Sequence, residues 1–244
     1  MKRIFMFDID GTLTPHRQPM TKNMVMFFSN FCKENKVFLV TGSDWEKVKE
    51  QVPSEVLTLT QGIYTCSGNA LYGSDGTLLR EREYQMNPHL ERLLSSLLES
   101  SPYHVKTGRH IENRPGMVNF SIVGRACTLE QREEYSQWDS TYRERRLLRD
   151  KIMSSFAGLD VALGGQISLD IYPTGWNKAQ AYNEVKDKNP DHSIVFYGDR
   201  LEHGGNDYPI YEAMCRSNLA YEEVADFAYE VKDYQETITA LREF

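Results

Sequence analysis

Arg3-Ile4-Phe5-Met6-Phe7-Asp8-Ile9-Asp10-Gly11-Thr12-Leu13-Thr14 is the stretch that decides the fold. Its apolar run stops abruptly at Asp-x-Asp-Gly-Thr, the pattern of a buried parallel strand whose carboxyl end opens into a polar turn. Open α/β sheets hold their ligands at that end. A loop curling at Gly11 can turn Asp8 and Asp10 toward one point, where two carboxylates repel unless a cation sits between them. Magnesium, a hard ion that takes oxygen ligands, suits that place, above all when a phosphate completes its shell. A carboxylate can also attack phosphorus and form an aspartyl-phosphate while a neighbouring carboxyl moves the proton. A solvated acidic turn uses the same letters, so the reading depends on the rest of the chain.

With 244 residues and 40% hydrophobic content, the chain is long enough for one large domain or two modest ones with buried cores. A net charge of -7 argues against a nucleic-acid footprint, and the one basic cluster, Arg143-Glu144-Arg145-Arg146, reads as a solvated helix face. Cys32, Cys66, Cys127 and Cys215 show no paired metal-ligand spacing and read as reduced, packing thiols. The first residues lead straight into a strand, and no apolar run reaches the roughly 18 residues of a membrane span. The expectation is a soluble, cytoplasmic protein.

Beyond the first strand, Thr21 can cap a helix to about Asn35, and Val37-Phe38-Leu39-Val40 returns as a second buried strand, completing a βαβ unit. That strand ends in Thr41-Gly42-Ser43-Asp44, followed by a helix from Trp45 to Gln51. Ser43 and the amides around it would face the same edge as Asp8, as a phosphate cradle or as an ordinary helix cap. Ile63 to Cys66 reads as a third strand, and Ser74-Asp75-Gly76 turns a hairpin. From about Glu83 to Thr174 strands follow strands, with helices at Pro88 to Ser100 and in the charged stretch Leu129 to Phe156. That order predicts an antiparallel α+β cap at 83–174, inserted into an α/β core of 1–82 and 175–244 with a parallel sheet.

Inside the predicted cap, Arg109, Arg114, Arg125 and Arg132 interrupt apolar or turn-like sequence, and several guanidinium groups on one sheet face would clamp an oxyanion. In Gln166-Ile167-Ser168-Leu169-Asp170-Ile171-Tyr172, Ser168 and Asp170 share a face and could meet sugar hydroxyls or solvent. Gly175-Trp176-Asn177-Lys178 opens a helix to about Lys188, and Lys178 aimed at the core site would balance the charge of Asp8 and a transferring phosphoryl group. Ser193 to Tyr197 is another buried strand, ending in Gly198-Asp199 and then Gly204-Gly205-Asn206-Asp207, whose acids add to the cation site. A last helix runs from Tyr234 to Arg242.

Strand ends carrying Asp-x-Asp-Gly-Thr, then Gly-Ser, then Lys, then Gly-Asp and a later Asp resemble the ordered motifs of the haloacid-dehalogenase superfamily of aspartate-based phosphotransferases. Asp8 to Thr14 with Arg17, Gly42-Ser43-Asp44, Gly116-Met117-Val118-Asn119, Gly124-Arg125, Gly164 to Asp170 and Gly204 to Asp207 resemble the eukaryotic-type phosphomannomutases over nearly the whole chain. The resemblance implies a Rossmann-like core with an α+β cap, Asp8 as nucleophile and Asp10 as general acid/base. It implies magnesium on Asp8, the backbone carbonyl of Asp10, and Asp199, with Asp207 nearby, and phosphoryl binding by Ser43 and Lys178. Arg17, Arg114, Arg125 and Arg132 would bind the distal phosphate, and Met117, Asn119, Ser168 and Asp170 would line the sugar pocket. Arg109 has no counterpart. The implied reaction interconverts mannose 6-phosphate and mannose 1-phosphate, with hexose 1,6-bisphosphate as activator, in support of GDP-mannose synthesis; glucose phosphates are alternative substrates. Tyr211 to Arg216 lacks the aspartate of a second, structural cation, and dimerisation through the caps is implied. A sugar-phosphate phosphatase on the same scaffold is the rival reading. A non-catalytic phosphosugar sensor would not need the nucleophile.

Overall fold

A computed structural model describes residues 2–220 and 225–243. The opening strand β1 (Arg3–Phe7) sends Phe5 and Phe7 into one core and Ile4 and Met6 into another, and all four are buried. α1 (Lys22–Glu34) starts where the Thr21 hydroxyl accepts the amide of Met24, and β2 (Lys36–Val40) returns parallel to β1. α2 (Trp45–Gln51) and the short α3 (Ser54–Leu57) lead to β3 (Gly62–Thr65), parallel to β2. β4 (Ala70–Tyr72) and β5 (Leu78–Glu81) form the expected antiparallel hairpin, in which the Asp75 carboxylate accepts both the amide and the hydroxyl of Thr77.

The chain separates into two units, one of Met1–Glu81 with Trp176–Phe244 and one of Arg82–Gly175. The second unit contains α4 (Pro88–Ser100), β6 (Ile111–Arg114), β7 (Met117–Ser121), α5 (Leu129–Tyr142), α6 (Glu144–Ser155), β8 (Leu159–Gly164) and β9 (Ser168–Pro173). Its strands make an antiparallel sheet in the order β6-β7-β9-β8. Val118, Phe120, Leu169, Ile171, Val161 and Leu163 pack with Leu90, Leu94, Tyr135 and Ile152 of the helices. The period of two leaves Glu112, Arg114, Met117, Asn119, Ser168 and Asp170 on the other face.

The charged helical stretch from Leu129 to Phe156 holds two helices, because Arg143 adopts a left-handed backbone at φ 56 between α5 and α6. The basic cluster there is a solvated face only in part, at the exposed Arg143 and Arg146. Glu144 and Arg145 are buried: Glu144 accepts from Ser101 Oγ at 2.6 Å and Tyr135 Oη at 3.0 Å, and Arg145 Nε donates to Asp139 Oδ2 at 2.7 Å. Paired in this way, the charges can leave water.

Returning to the first unit, α7 (Ala179–Lys188) precedes β10 (Ser193–Gly198), which pairs parallel with the free edge of β1. α8 (Tyr208–Ala220) and the edge strand β11 (Phe227–Glu230) follow, neither read from the sequence, and α9 (Tyr234–Leu241) closes the described chain. The sheet order is β11-β10-β1-β2-β3-β4-β5, so β1 lies inside a run of parallel strands, and the α/β class is as expected. No described helix is long and apolar enough to cross a membrane, and the four cysteines are free thiols.

Candidate active site

Asp8 stands one residue past β1, its amide still bonded to the Tyr197 carbonyl of β10 at 2.9 Å, so the sheet ladder fixes its position. Lys178 caps α7 and is fully buried; its Nζ donates to Asp8 Oδ1 at 2.5 Å and to Asp207 Oδ1 at 2.7 Å. Asp207 also accepts the amide of Arg200 at 3.2 Å. Carboxylate oxygens of Asp8, Asp199 and Asp207 lie within 4.8 Å of one another. Two glycines make room for this crowding. A Cβ on Gly11, whose φ of +98° already favours glycine, would stand 2.6 Å from Asp199 Oδ2, and one on Gly198 would stand 2.6 Å from Asp207 Oδ2.

Burial, opposed by Lys178 and reinforced by Asp207, pushes the Asp8 carboxyl up to about 7. Burial and the charges of Asp8 and Asp207 hold Asp199 well above the ordinary carboxyl range. For Lys178, burial works against the charged form, but Asp207 and Asp8 outweigh it and hold the ammonium above its ordinary value. Three acids thus face one ammonium, leaving a surplus of negative charge on an all-oxygen donor set. Such a set fits a hard divalent cation such as magnesium.

The side chain of Asp10 lies outside this trio. Its Oδ1 accepts the amide of Arg17 and Gln51 Nε2, the latter at 3.1 Å, and Gln51 Nε2 also bonds Thr14 Oγ1 at 3.1 Å. Asp10 is nonetheless near enough to add to the repulsion on Asp8. Ser43 follows β2, the neighbour of β1, on the same carboxyl edge; its amide donates to Thr41 Oγ1 at 3.1 Å. The α2 terminus is capped by the carboxylate of Asp44, which accepts from Lys47 N at 2.9 Å, so Ser43 has its hydroxyl to offer a ligand. Arg17 belongs to the first unit, with a left-handed backbone at φ 58. Sequence reasoning missed Gln51 and also His16, whose Nε2 stands 3.9 Å from Asp199 Oδ2.

On the polar face of the second unit, Asn119 pairs across the ladder with Glu112 on one side and Asp170 on the other. Asn119 Nδ2 donates to Asp170 Oδ1 at 2.6 Å, while its own Oδ1 is buried without a described partner. A Cβ on Gly164 would stand 2.7 Å from Asp170 Oδ2. Met117, Asn119, Ser168 and Asp170 are all buried, which removes the solvent-facing reading of Ser168 and Asp170. Arg125 Nη1 donates to Ser168 Oγ at 3.2 Å, and Arg125 and Arg114 both reach Glu112, an acid the sequence did not single out. Arg132, buried on α5, reaches Cys127 Sγ at 3.7 Å. Gly124 sets the turn before Arg125: its φ is +82°, and a Cβ there would meet the Thr107 carbonyl oxygen at 1.8 Å.

Residues 24–234 match the family model described as eukaryotic phosphomannomutase. A protein of Caenorhabditis elegans named as a probable phosphomannomutase is 34% identical over 222 residues, covering 86% of each chain. Among solved structures, an IMP-bound, N-terminally truncated IMP-nucleotidase of Plasmodium falciparum aligns with a TM-score of 0.64 at 17% identity, over 99% of this chain and 67% of its own. A haloacid dehalogenase-like hydrolase from Bacteroides thetaiotaomicron aligns with a TM-score of 0.61 at 12% identity, over 100% of this chain and 99% of its own. At such identities these two share the fold alone.

Proposed function

The chain belongs to the eukaryotic phosphomannomutase family, and we propose on that premise that it interconverts mannose 6-phosphate and mannose 1-phosphate through a phosphorylated Asp8 and a hexose 1,6-bisphosphate. An Asp8 oxygen attacks one phosphorus of the bisphosphate, the bond to the sugar oxygen breaks, and Asp10 delivers a proton to that oxygen. In the second step Asp10 takes the proton from the free hydroxyl of a bound monophosphate, whose oxygen then removes the phosphoryl group from Asp8, and the bisphosphate so regenerated reorients before handing its other phosphoryl group to Asp8. Lys178 offsets charge on Asp8 and the phosphoryl oxygens, and the Ser43 hydroxyl binds one of them. Arg114 and Arg125, with Arg132 and Arg17, serve the phosphate that does not react, and Met117, Asn119, Ser168 and Asp170 serve the sugar. Magnesium would be held by Asp8 and Asp199, with Asp207 and the Asp10 carbonyl beside them, and would screen the charge of the transferring group.

The observation that carries this reading is Lys178 bonded at once to Asp8 and Asp207, with Asp199 beside them, in a chain of this family. A nucleophile, a counter-charge and a cation-binding acid pair are the parts that covalent phosphoryl transfer needs. Four free thiols suit the reducing cytoplasm. The test is to incubate the protein with magnesium, mannose 1-phosphate and a catalytic amount of hexose 1,6-bisphosphate. Mannose 6-phosphate is expected; free phosphate and mannose in its place would mean a phosphatase.

A further inference from the structure

Glu112 is a charged group on the polar face of the second unit's sheet that the proposed reaction leaves without a task. One of its oxygens, Oε2, accepts from Arg114 Nε at 2.9 Å, from Arg114 Nη2, and from Arg125 Nη2 at 3.3 Å. The side chains of Arg114, Arg125 and Glu112 are 7%, 16% and 23% exposed, so water screens them only in part. Two guanidinium groups brought together in such a place repel each other unless an anion lies between them. Burial works against an ionised Glu112, but Arg114, Arg125 and Arg109 outweigh it and hold the acid below the ordinary carboxyl range. The carboxylate is therefore charged at neutral pH.

The donors engaged are the ones a phosphate would use. A guanidinium grips phosphate through two parallel N–H bonds, and Arg114 presents Nε and Nη2, one such edge, to Glu112. Arg125 divides its fork between Glu112 and Ser168. We propose that Glu112 is a positioning residue: its tethered carboxylate keeps Arg114 and Arg125 converged before substrate arrives, and the incoming phosphate must displace it from their forks. This rests on the reading of the two arginines as ligands of the phosphate that does not react. A dianion with three terminal oxygens displaces a single carboxylate oxygen at a profit, whereas a ligand bearing a lone carboxylate only exchanges like for like. The arrangement thereby selects phosphate-bearing sugars over carboxylate-bearing ones, by a competitor built into the site.

The test is to titrate mannose 6-phosphate into the protein, its E112Q variant and its R125A variant, at low and at high ionic strength. E112Q keeps the shape and loses the charge, so it is expected to bind about five-fold tighter or more at low salt, the effect of not having to break a charge-assisted hydrogen bond. The gain should narrow at high salt, because the unbalanced cations are then screened; a merely structural prop would not move with salt in that sense. R125A is expected to bind at least about ten-fold weaker. If R125A weakens binding while E112Q leaves it equal or weaker, the displacement proposal fails and the arginine reading stands. If R125A binds as well as the unaltered protein, the arginine reading itself fails. Melting temperatures establish that each variant folds, and E112D, which draws the same charge back by one methylene, is expected to show the same sign of effect and takes the place of E112Q only if E112Q does not fold.

Discussion

At the carboxyl edge of the first unit's sheet, Asp8, Asp199 and Asp207 crowd around the single ammonium of Lys178; on the polar face of the second unit's sheet, Arg114 and Arg125 close on the single carboxylate of Glu112. Each cluster carries one charge of the minority sign, enough to let it fold and too little to neutralise it. The surplus defines what each can take up. In the proposed reaction the excess acid would take a divalent cation and, through it and Lys178, a phosphoryl group in transit. The excess guanidinium would take the phosphate that is held and not attacked. The backbone differs in the same sense. The acidic cluster is fixed by strand ends and by glycines pressed against its acids, whereas the basic one is carried by one strand and by the turn that Gly124 permits.

The contrast breaks most sharply at Asp8. Asp8→Asn is expected to lower mutase turnover by about 10⁴-fold or more, because no other group can accept the phosphoryl bond. Its thermal melt should not fall, since a buried carboxylate held up to about 7 is relieved of its charge; retained turnover would remove Asp8 from its role. Next is Gly124→Ala, where the new Cβ would overlap the Thr107 carbonyl oxygen. A loss of about 3 kcal/mol or more of stability is expected, read by denaturant unfolding, together with weaker sugar-phosphate binding. A smaller effect separates the two clusters by function. Arg114→Ala should raise the KM for mannose 1-phosphate by about ten-fold or more, and should change attack on a small aryl phosphate far less. Equal losses would mean that the guanidinium pair serves the reacting group.

The smallest effect is on pH. Glu112 is more acidic folded than unfolded, so its contribution to stability is present above the ordinary carboxyl range and is lost as pH falls through its lower folded value. Urea unfolding between about pH 6 and 3 should show the unaltered protein losing slightly more stability than E112Q, by well under 1 kcal/mol, because the side chain is partly exposed to screening water.

Much of the first unit was legible because parallel strands, buried on both faces, are apolar runs with polar ends, and each run marks one edge of the sheet. The Asp8, Lys178, Asp199 and Asp207 neighbourhood followed from that edge and from the family resemblance. What stayed hidden has physical causes. Arg143 breaks the helical stretch by a left-handed backbone with no glycine or proline to announce it. α8 starts at Tyr208-Pro209, where proline is tolerated in a first turn, so a residue that reads as a breaker belongs to the helix. β11 is four residues at a sheet edge, Phe227 to Glu230, too short to show a period and mostly exposed. Glu112 looked like any charge on a strand, and only its cross-strand partners gave it meaning. The direction of the Asp10 side chain was set by Gln51 and the Arg17 amide, both contacts that no spacing encodes.

The bond from Lys178 to Asp8 joins residues 170 positions apart, and β1 needs β10 on one flank as well as β2 on the other. On the ribosome, therefore, the opening strand leaves the exit tunnel long before its partner has been translated. Residues 82–175 emerge as one contiguous piece and have all their own strands in hand by then. The part made in the middle can mature first, while the amino-terminal third waits with an unpaired edge, a task for chaperones that grows heavier with any delay in elongation.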